Sequence, residues 1–150
     1  MKLAEALQAR ADLNRQIEQL KGRIYDNALV QEGESPNEDP DELIKELNKN
    51  VSTLENLIIR INMTNCQSDV DGASLTELIA QRDCINIKID MYKTLVSTAS
   101  SNTRRATKTE IKILSTVNVK ELQKKIDRLS KEMRLIDNKI QQANWNIELI

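Results

Sequence analysis

Residues 119–143 read VKELQKKIDRLSKEMRLIDNKIQQA, and this stretch decides the fold. Its apolar side chains recur at alternating steps of three and four residues, the spacing of one face of an α-helix. The positions of this seam are Val119, Leu122, Ile126, Leu129, Met133, Ile136, Ile140 and Ala143. A helix of about 25 residues is roughly 37 Å long and cannot bury such a stripe alone. The stretch therefore predicts a long amphipathic helix that pairs with other helices.

Three further stretches predict helices of the same kind. The first begins at Leu3, and its signal fades near Asn27. The second begins at Pro40, because proline suits the first turn of a helix. The third is capped by Ser74, with Glu77 completing a capping box. Short connections favour antiparallel neighbours. We therefore predict an all-α fold, an antiparallel up-down-up-down bundle of four long helices in two coiled-coil-like hairpins, as a single domain over residues 1–150.

The chain just before the fourth helix departs from helical periodicity. Between Glu110 and Val119, β-branched side chains alternate with other residues, which predicts a short extended segment. Asn118 then caps the fourth helix, with Glu121 in the capping-box position.

The helices also match in pairs along the sequence. At an offset of 72, Arg10 aligns with Arg82; at an offset of 79, Asn65 aligns with Asn144. Two interpretations stay open. The two hairpins are equivalent units, or any two seams align once they are in phase, although a shared seam does not predict these polar matches.

Composition excludes several classes of function. The chain has no histidine, which removes the commonest metal ligand and the usual general base. Three glycines and two prolines are too few for a turn-rich β fold or a glycine-rich phosphate loop. The formal net charge of -1 argues against a dedicated nucleic-acid or anionic-membrane binder. The sequence therefore disfavours an enzyme and predicts no cofactor and no metal.

Polar residues near one end of the predicted bundle form the first candidate site. We expect Arg10 to lie near Asn62 and Asn65. We expect Arg82 to lie near Asn138, Gln141 and Asn144. The candidate polar layer consists of Arg10, Asn62, Asn65, Arg82, Asp83, Gln141 and Asn144. Three interpretations stay open: a buried network that fixes helix register, a pocket for a small anion, or arginines that reach solvent or another subunit.

The two connections at the opposite end carry opposite charge. Residues 31–42 hold six acidic groups and no basic one, whereas residues 104–112 hold four basic groups against one acidic. They are either solvated loops or complementary docking surfaces within a chain or between subunits. The basic connection has no aromatic side chain to stack on bases, which disfavours nucleic acid.

Trp145 either packs on the bundle end or anchors a subunit interface. The candidate interface residues are Glu32, Glu34, Glu38, Asp39, Arg104, Arg105, Lys108, Lys112 and Trp145.

Targeting features and cysteines indicate the compartment. Glu5 and Arg10 interrupt any apolar run at the beginning of the sequence, so we expect no signal peptide. No stretch approaches the roughly 18 apolar residues of a membrane span. Cys66 and Cys84 are too few for a disulfide framework and are expected to be reduced, partly buried thiols. The sequence predicts a cytoplasmic protein.

A set of short motifs spread over nearly the whole chain resembles the septicolysin-like family of small bacterial helical proteins. The motifs are Ala6-Leu7, Arg10-Ala11-Asp12-Leu13, Gln31-Glu32-Gly33-Glu34, Pro36, Glu38-Asp39-Pro40, Arg60-Ile61-Asn62, Thr64-Asn65, Leu75-Thr76-Glu77, Arg82-Asp83, Glu110-Ile111-Lys112, Ser115-Thr116-Val117 and Asn144-Trp145. The resemblance implies a conserved, mostly helical bacterial protein with no established activity. The family name suggests a cytolysin, and no catalytic residue is carried over.

These observations predict a self-associating helical protein that acts as a scaffold or interaction module. Apolar residues beside the main seams leave surplus surface that a monomer would expose, so we predict a homo-oligomer, a dimer or a larger ring. Two alternatives belong to other classes. One is a membrane-active, cytolysin-like protein, whose apolar seams would open onto a bilayer. The other is a small-anion-binding protein or enzyme that uses the polar layer.

Overall fold

The computed structural model describes residues 1–101 and 111–150. Four α-helices account for most of this part of the chain: α1 (Leu3–Asp26), α2 (Pro40–Gln67), α3 (Leu75–Ala99) and α4 (Val119–Asn146). The predicted all-α fold is confirmed. The chain divides into two compact units. Unit 1 comprises Met1–Asp69 and Ala143–Ile150, and unit 2 comprises Val70–Gln142. The expectation that residues 1–150 make one domain stays a prediction.

The helices begin where the sequence signals place them. Asp39 precedes α2, and its side chain accepts a hydrogen bond from the amide N–H of Asp41 at 3.0 Å. At the start of α3, Glu77 accepts from the Ser74 amide at 2.7 Å. Asn118 accepts from the Glu121 amide at 3.1 Å at the start of α4. Each contact satisfies a backbone N–H that has no partner within its own helix, which is why these residues fix the boundaries.

Unit 1 is built on an antiparallel pair, α1 and α2. The start of α1 and the end of α2 both contact residues 147–150, and at the other end Arg23 binds Glu38. The core is aliphatic, because the chain has no phenylalanine. Its buried side chains from these two helices are Leu3, Ala6, Leu20, Leu43, Leu57 and Ile61.

Unit 2 is built on the antiparallel pair of α3 and α4. Ile85, Ile89 and Leu129 form a buried cluster, and partly buried Tyr92 and Met133 pack against it. The ammonium group of Lys125 lies 5.8 Å from the centre of the Tyr92 ring, a cation–π contact that continues the pairing toward the start of α4. The unit therefore buries one stripe from each helix, as the seams predict.

The sequence repeat extends to the helix boundaries. α1 and α3 begin 72 residues apart, at Leu3 and Leu75, and α2 and α4 begin 79 residues apart, at Pro40 and Val119. α2 and α4 are both 28 residues long. At an offset of 72, Glu5 accepts from the Lys2 amide at 2.7 Å, as Glu77 does from Ser74. The interpretation that the two hairpins are equivalent units therefore has structural support.

The segments that follow α2 and α4 make equivalent backbone contacts. The Val70 amide donates to the carbonyl of Ala73 at 2.8 Å, and the Leu149 amide donates to the carbonyl of Met1 at 2.9 Å. Between Val70 and Ala73, Asp71 and Gly72 both have positive φ, 55° and 86°, as a tight two-residue turn requires. Val70 corresponds to Leu149 at an offset of 79, and Met1 to Ala73 at an offset of 72.

Near the end of α2 and near the end of α4, a cationic side chain binds the segment that follows one of these helices. Arg60 Nε donates to the carbonyl oxygen of Ile150 at 2.7 Å, and Lys139 Nζ lies 3.0 Å from Asp71 Oδ2. At an offset of 79, Arg60 corresponds to Lys139 and Asp71 to Ile150. The same anchoring position is thus used in both units.

The predicted extended segment is irregular where the structure describes it. Residues 111–118 form neither helix nor strand, which confirms the break in helical structure but gives no strand pairing. Residues 102–110, including Glu110 of the predicted segment, lie outside the described residues. Ile111 and Leu114 are 67% and 76% exposed, because no neighbouring strand in the described chain covers them.

Candidate functional site

A polar groove of unit 2 is centred on Arg82 of α3. Its guanidinium donates to Asp83 Oδ1 from Nε at 3.0 Å and from NH2 at 2.9 Å. Its NH1 lies 3.5 Å from Oδ1 of Asp137 on α4. The arginine side chain is only 32% exposed, so its aliphatic part is covered while its charge stays paired.

This groove has room for a small molecule and no strong charge preference. Its open cavity is about 440 Å³ and is lined by Arg82, Asp83, Asn86, Met133, Arg134 and Asp137. That volume lies in the range typical of ligand sites. The two guanidiniums and two carboxylates cancel in formal charge. Because both carboxylates already neutralise Arg82, the groove is poorly suited to a small anion.

The partners of Arg82 in the described chain are carboxylates, one of which is the expected Asp83. Its second partner is Asp137 instead of an amide of Asn138 or Gln141, both of which are exposed. A carboxylate is the stronger acceptor for a guanidinium, and the antiparallel register that pairs Ile89 with Leu129 places Asp137 opposite Arg82. That register, worked out from the two seams, is the signal from which Asp137 could have been found.

The polar layer predicted around Arg10 is not formed in unit 1. Arg10 is half-exposed, and no hydrogen bond or ion pair of its side chain occurs among residues 1–101 and 111–150. Asn62 is exposed, and the backbone carbonyl of Asn65 accepts from the Ser68 hydroxyl at 2.9 Å. Asn144 is buried, at 9% exposure. No carboxylate of the described residues forms an ion pair with the Arg10 guanidinium.

Unit 1 instead has a polar contact that sequence reasoning missed. Thr64, only 1% exposed, donates its hydroxyl to the Arg60 carbonyl at 2.8 Å and accepts from the Ile150 amide at 3.1 Å. Its two partners are 4 and 86 residues away in sequence, and the second is invisible to any local pattern. Thr64 therefore joins α2 to the segment that follows α4.

An ion pair lies beside this contact at the start of α1. Lys2 Nζ lies 2.7 Å from Oε1 of Glu148, and the amino group of Met1 lies 3.1 Å from Oε2. The hydrogen bond from Lys2, followed by that from the Met1 amino group, lowers the pKa of Glu148. The Leu3 amide also donates to the Ile147 carbonyl at 3.0 Å, so backbone and side chains hold the two segments together.

The acidic candidate interface residues differ in their roles. Arg23 hydrogen-bonds to Glu38 and thereby lowers the pKa of that carboxyl group. Asp39 caps α2, so its side chain has a structural role. Glu32 and Glu34 are exposed and make no ion pair in the part of the chain that the structure describes.

The other candidate interface residues lie at the surface or outside the described chain. Arg104, Arg105 and Lys108 fall within residues 102–110 and lie outside the described residues, whereas Lys112 is exposed. Trp145 is 63% exposed, so it does not pack on a bundle end as one interpretation expected. It lies just before the turn out of α4, with its neighbours Ala143 and Asn144 directed inward.

The cysteines and acidic residues define no further site. Cys66 and Cys84 are both exposed, which corrects the expectation that they are partly buried. Both lie on helix faces away from the apolar seams. Within the described residues, no group of three or more cysteine, aspartate or glutamate side chains could hold a metal ion. No helix in the same part of the chain is long and apolar enough to span a bilayer.

Fold and site together define a protein of two long α-helical hairpins with a charge-balanced groove in the second. Comparison with known proteins assigns the chain to a family. The chain belongs to a family of unknown function, DUF6847, whose model matches residues 10–149. It is 36% identical to a functionally unknown conserved protein from Corynebacterium diphtheriae, known from a crystal structure. The match has a TM-score of 0.93 and covers 100% of this chain and 99% of the other.

The comparisons do not confirm the septicolysin-like name. A search of curated proteins gave no significant match. The solved structure supports the helical fold. Neither the family description nor that structure assigns a substrate or a partner.

Proposed function

We propose that this protein is a self-associating helical interaction module that works as a scaffold in the cytoplasm. The observation that carries the proposal is the amount of apolar surface that the folded chain leaves uncovered. Among the described residues, 17 large apolar side chains are exposed, while 16 apolar residues are buried. Single exposed apolar residues are ordinary in proteins, but grouped ones indicate a surface that another molecule covers.

Five of the exposed apolar residues lie together on α2. Ile44, Val51 and Ile58 recur every seven residues and are 41%, 42% and 36% exposed. A seven-residue spacing keeps them on one face of the helix. Ile59 and Met63 extend the apolar surface toward the end of α2, at 50% and 45% exposure. Such a face is suited to packing against another helix.

The Arg82 groove supports a small-anion site less well. Asp83 and Asp137 already share the positive charge of Arg82, so an incoming anion would compete with two carboxylates. Apolar surface is therefore the better guide to function, and self-association is the function that it favours.

Analytical ultracentrifugation across micromolar concentrations tests the proposal. We expect a mass at least twice the 17.1 kDa of one chain. A 17.1 kDa species at every concentration would refute self-association. Dye-filled liposomes with anionic lipid test the membrane-active alternative in parallel. Leakage caused by the wild-type chain would favour that alternative, and intact vesicles would favour the interaction module.

A further inference from the structure

The end of unit 1 where α1 and α2 are connected is strongly acidic. Residues 26–56, here called the acidic surface, contain nine acidic and two basic residues, a formal charge of −7. Residues 14–25 of α1 add one acidic and three basic residues, so this end of unit 1 as a whole carries a formal charge of −5. The acidic residues are Asp26, Glu32, Glu34, Glu38, Asp39, Asp41, Glu42, Glu46 and Glu55. Apart from half-buried Glu38, all are exposed. Only Glu38 and Glu42 have ion-pair partners in the described chain, so most of this charge is not neutralised locally.

The corresponding end of unit 2 is basic. Residues 86–101 and 111–131, here called the basic surface, contain eight basic and three acidic residues, a formal charge of +5 without the residues between them. All eight basic side chains are exposed: Lys88, Lys93, Lys112, Lys120, Lys124, Lys125, Arg128 and Lys131. Within the described residues, Lys124 alone of the eight makes an ion pair, with Glu121.

Four of these cations form a row on α4. Lys120, Lys124, Arg128 and Lys131 follow the spacing i, i+4, i+8 and i+11, which places them on one face. Leu122, Ile126 and Leu129 point the other way and are buried. The row therefore faces solvent, and nothing in the packing of unit 2 explains four cations there.

Both surfaces also carry exposed apolar side chains. On the acidic surface, Leu29 and Val30 are 90% and 50% exposed. On the basic surface, Ile113 and Leu114 are 49% and 76% exposed. Protein interfaces combine an apolar centre with a polar rim, and opposite charge at the rim guides the two partners together.

We infer that the basic surface of one copy docks on the acidic surface of a second copy. The inference rests on the proposed self-association and names the surfaces that meet. The helix boundaries of the two hairpins match, so their connected ends present similar helical scaffolds with opposite charge. A nucleic acid is a weaker partner for the basic surface. Its one aromatic side chain, Tyr92, is half-buried beneath Lys125 and offers no platform for stacking.

Charge reversal on each surface tests the inference. The acidic-surface variant carries Asp26→Lys, Glu32→Lys and Glu34→Lys, all at exposed positions that make no ion pair in the described chain. The first change adds a cation to the last turn of α1, which its helix dipole tolerates well. The basic-surface variant carries Lys120→Glu, Arg128→Glu and Lys131→Glu. Its matched control, Lys120→Arg, Arg128→Lys and Lys131→Arg, keeps every charge. Circular dichroism confirms that each variant is folded.

Sedimentation velocity of each variant, alone and mixed, gives the readout. Each reversed variant alone should raise the dissociation constant about tenfold or more, because like charges then face each other. An equimolar mixture should restore assembly, since the basic surface of one variant meets the acidic surface of the other. The control should assemble like wild type. Assembly of wild type should weaken between about 0.1 M and about 1 M salt, as the Debye length falls from about 10 Å to about 3 Å.

Four outcomes would overturn the inference. One is that both reversed variants assemble as strongly as wild type, which would mean that self-association uses other surfaces. Another is a mixture that remains monomeric. A third is a basic-surface variant that loses binding of a single-stranded oligonucleotide while its assembly is unchanged. A wild-type monomer at every salt concentration would refute the proposed function as well.

Discussion

Replacement of Thr64 by valine removes a hydroxyl from a fully buried position and leaves the shape of the side chain almost unchanged. Thr64 is 1% exposed and makes two hydrogen bonds, one to the Arg60 carbonyl and one from the Ile150 amide. A hydrogen bond contributes about 0.5–1.5 kcal/mol net, and water can replace part of the second, because Ile150 is 52% exposed. We expect Thr64→Val to lower the free energy of unfolding by about 1–2 kcal/mol.

Urea unfolding and amide hydrogen exchange together measure this effect. With an m-value of about 2 kcal/mol/M, the expected loss moves the midpoint by roughly 0.5–1 M. Thr64→Ser is the matched control. It keeps the hydroxyl and removes one methyl group, which costs about 1 kcal/mol. Exchange at the Ile150 amide should speed up in the valine variant and stay protected in the serine variant. A valine variant as stable as wild type, with unchanged exchange at Ile150, would refute the assigned role of the hydroxyl.

Four further results are expected. Glu148 has a lowered pKa in the folded chain, so its contribution to stability is present above the ordinary value of 4.5 and is lost as the pH falls through the folded value. In acid unfolding, the stability of Lys2→Met should therefore depend less on pH in that range than the stability of wild type does. Trp145, being 63% exposed, should emit at longer wavelength on dilution if assembly covers it, and a spectrum independent of concentration would remove it from the interface. Arg82→Met should change the unfolding free energy by less than about 1 kcal/mol, because a partly exposed ion pair contributes little; a loss above about 3 kcal/mol in thermal or urea unfolding would contradict this. Ile89→Ala should lower the free energy of unfolding, measured in urea, by about 2–5 kcal/mol, because Ile89 is 2% exposed in the unit 2 core. A loss below about 1 kcal/mol would mean that the neighbouring side chains move to fill the cavity left by the missing atoms.

Local signals in the sequence specify the helices well. The start of α3 follows from Ser74 and Glu77, and the start of α4 from Asn118, because a cap and the backbone amide it binds are neighbours in the chain. The buried stripe of α4 follows from its spacing alone, since side chains three and four residues apart share a face. Leu122 and Ile126, two members of the predicted seam, are buried.

The candidate site was less predictable, because its contacts join distant parts of the chain. The partnership of Thr64 with Ile150 spans 86 residues and depends on where the segment after α4 lies. The expected antiparallel geometry placed amide side chains near Arg82, but the register of α3 and α4 brings a second carboxylate, Asp137, to its guanidinium. For Trp145, hydrophobicity suggested packing on the bundle end, whereas its angular position on α4 leaves it exposed. Helix faces can be read from spacing, but which face meets which partner requires the three-dimensional arrangement.

The matching junctions of the two units make the chain suited to circular permutation. The Leu149 amide bonds to the Met1 carbonyl as the Val70 amide bonds to Ala73, where two residues complete the turn. Ile150 corresponds in sequence to Asp71, so Ile150→Asn followed by one added glycine before Met1 would supply residues that tolerate the positive φ of Asp71 and Gly72 and would close the backbone. New ends opened between Asp71 and Gly72 would then give a polypeptide that begins with α3 and α4 and finishes with α1 and α2. Because every helix keeps its own partner, this reordered chain should fold to the same two hairpins.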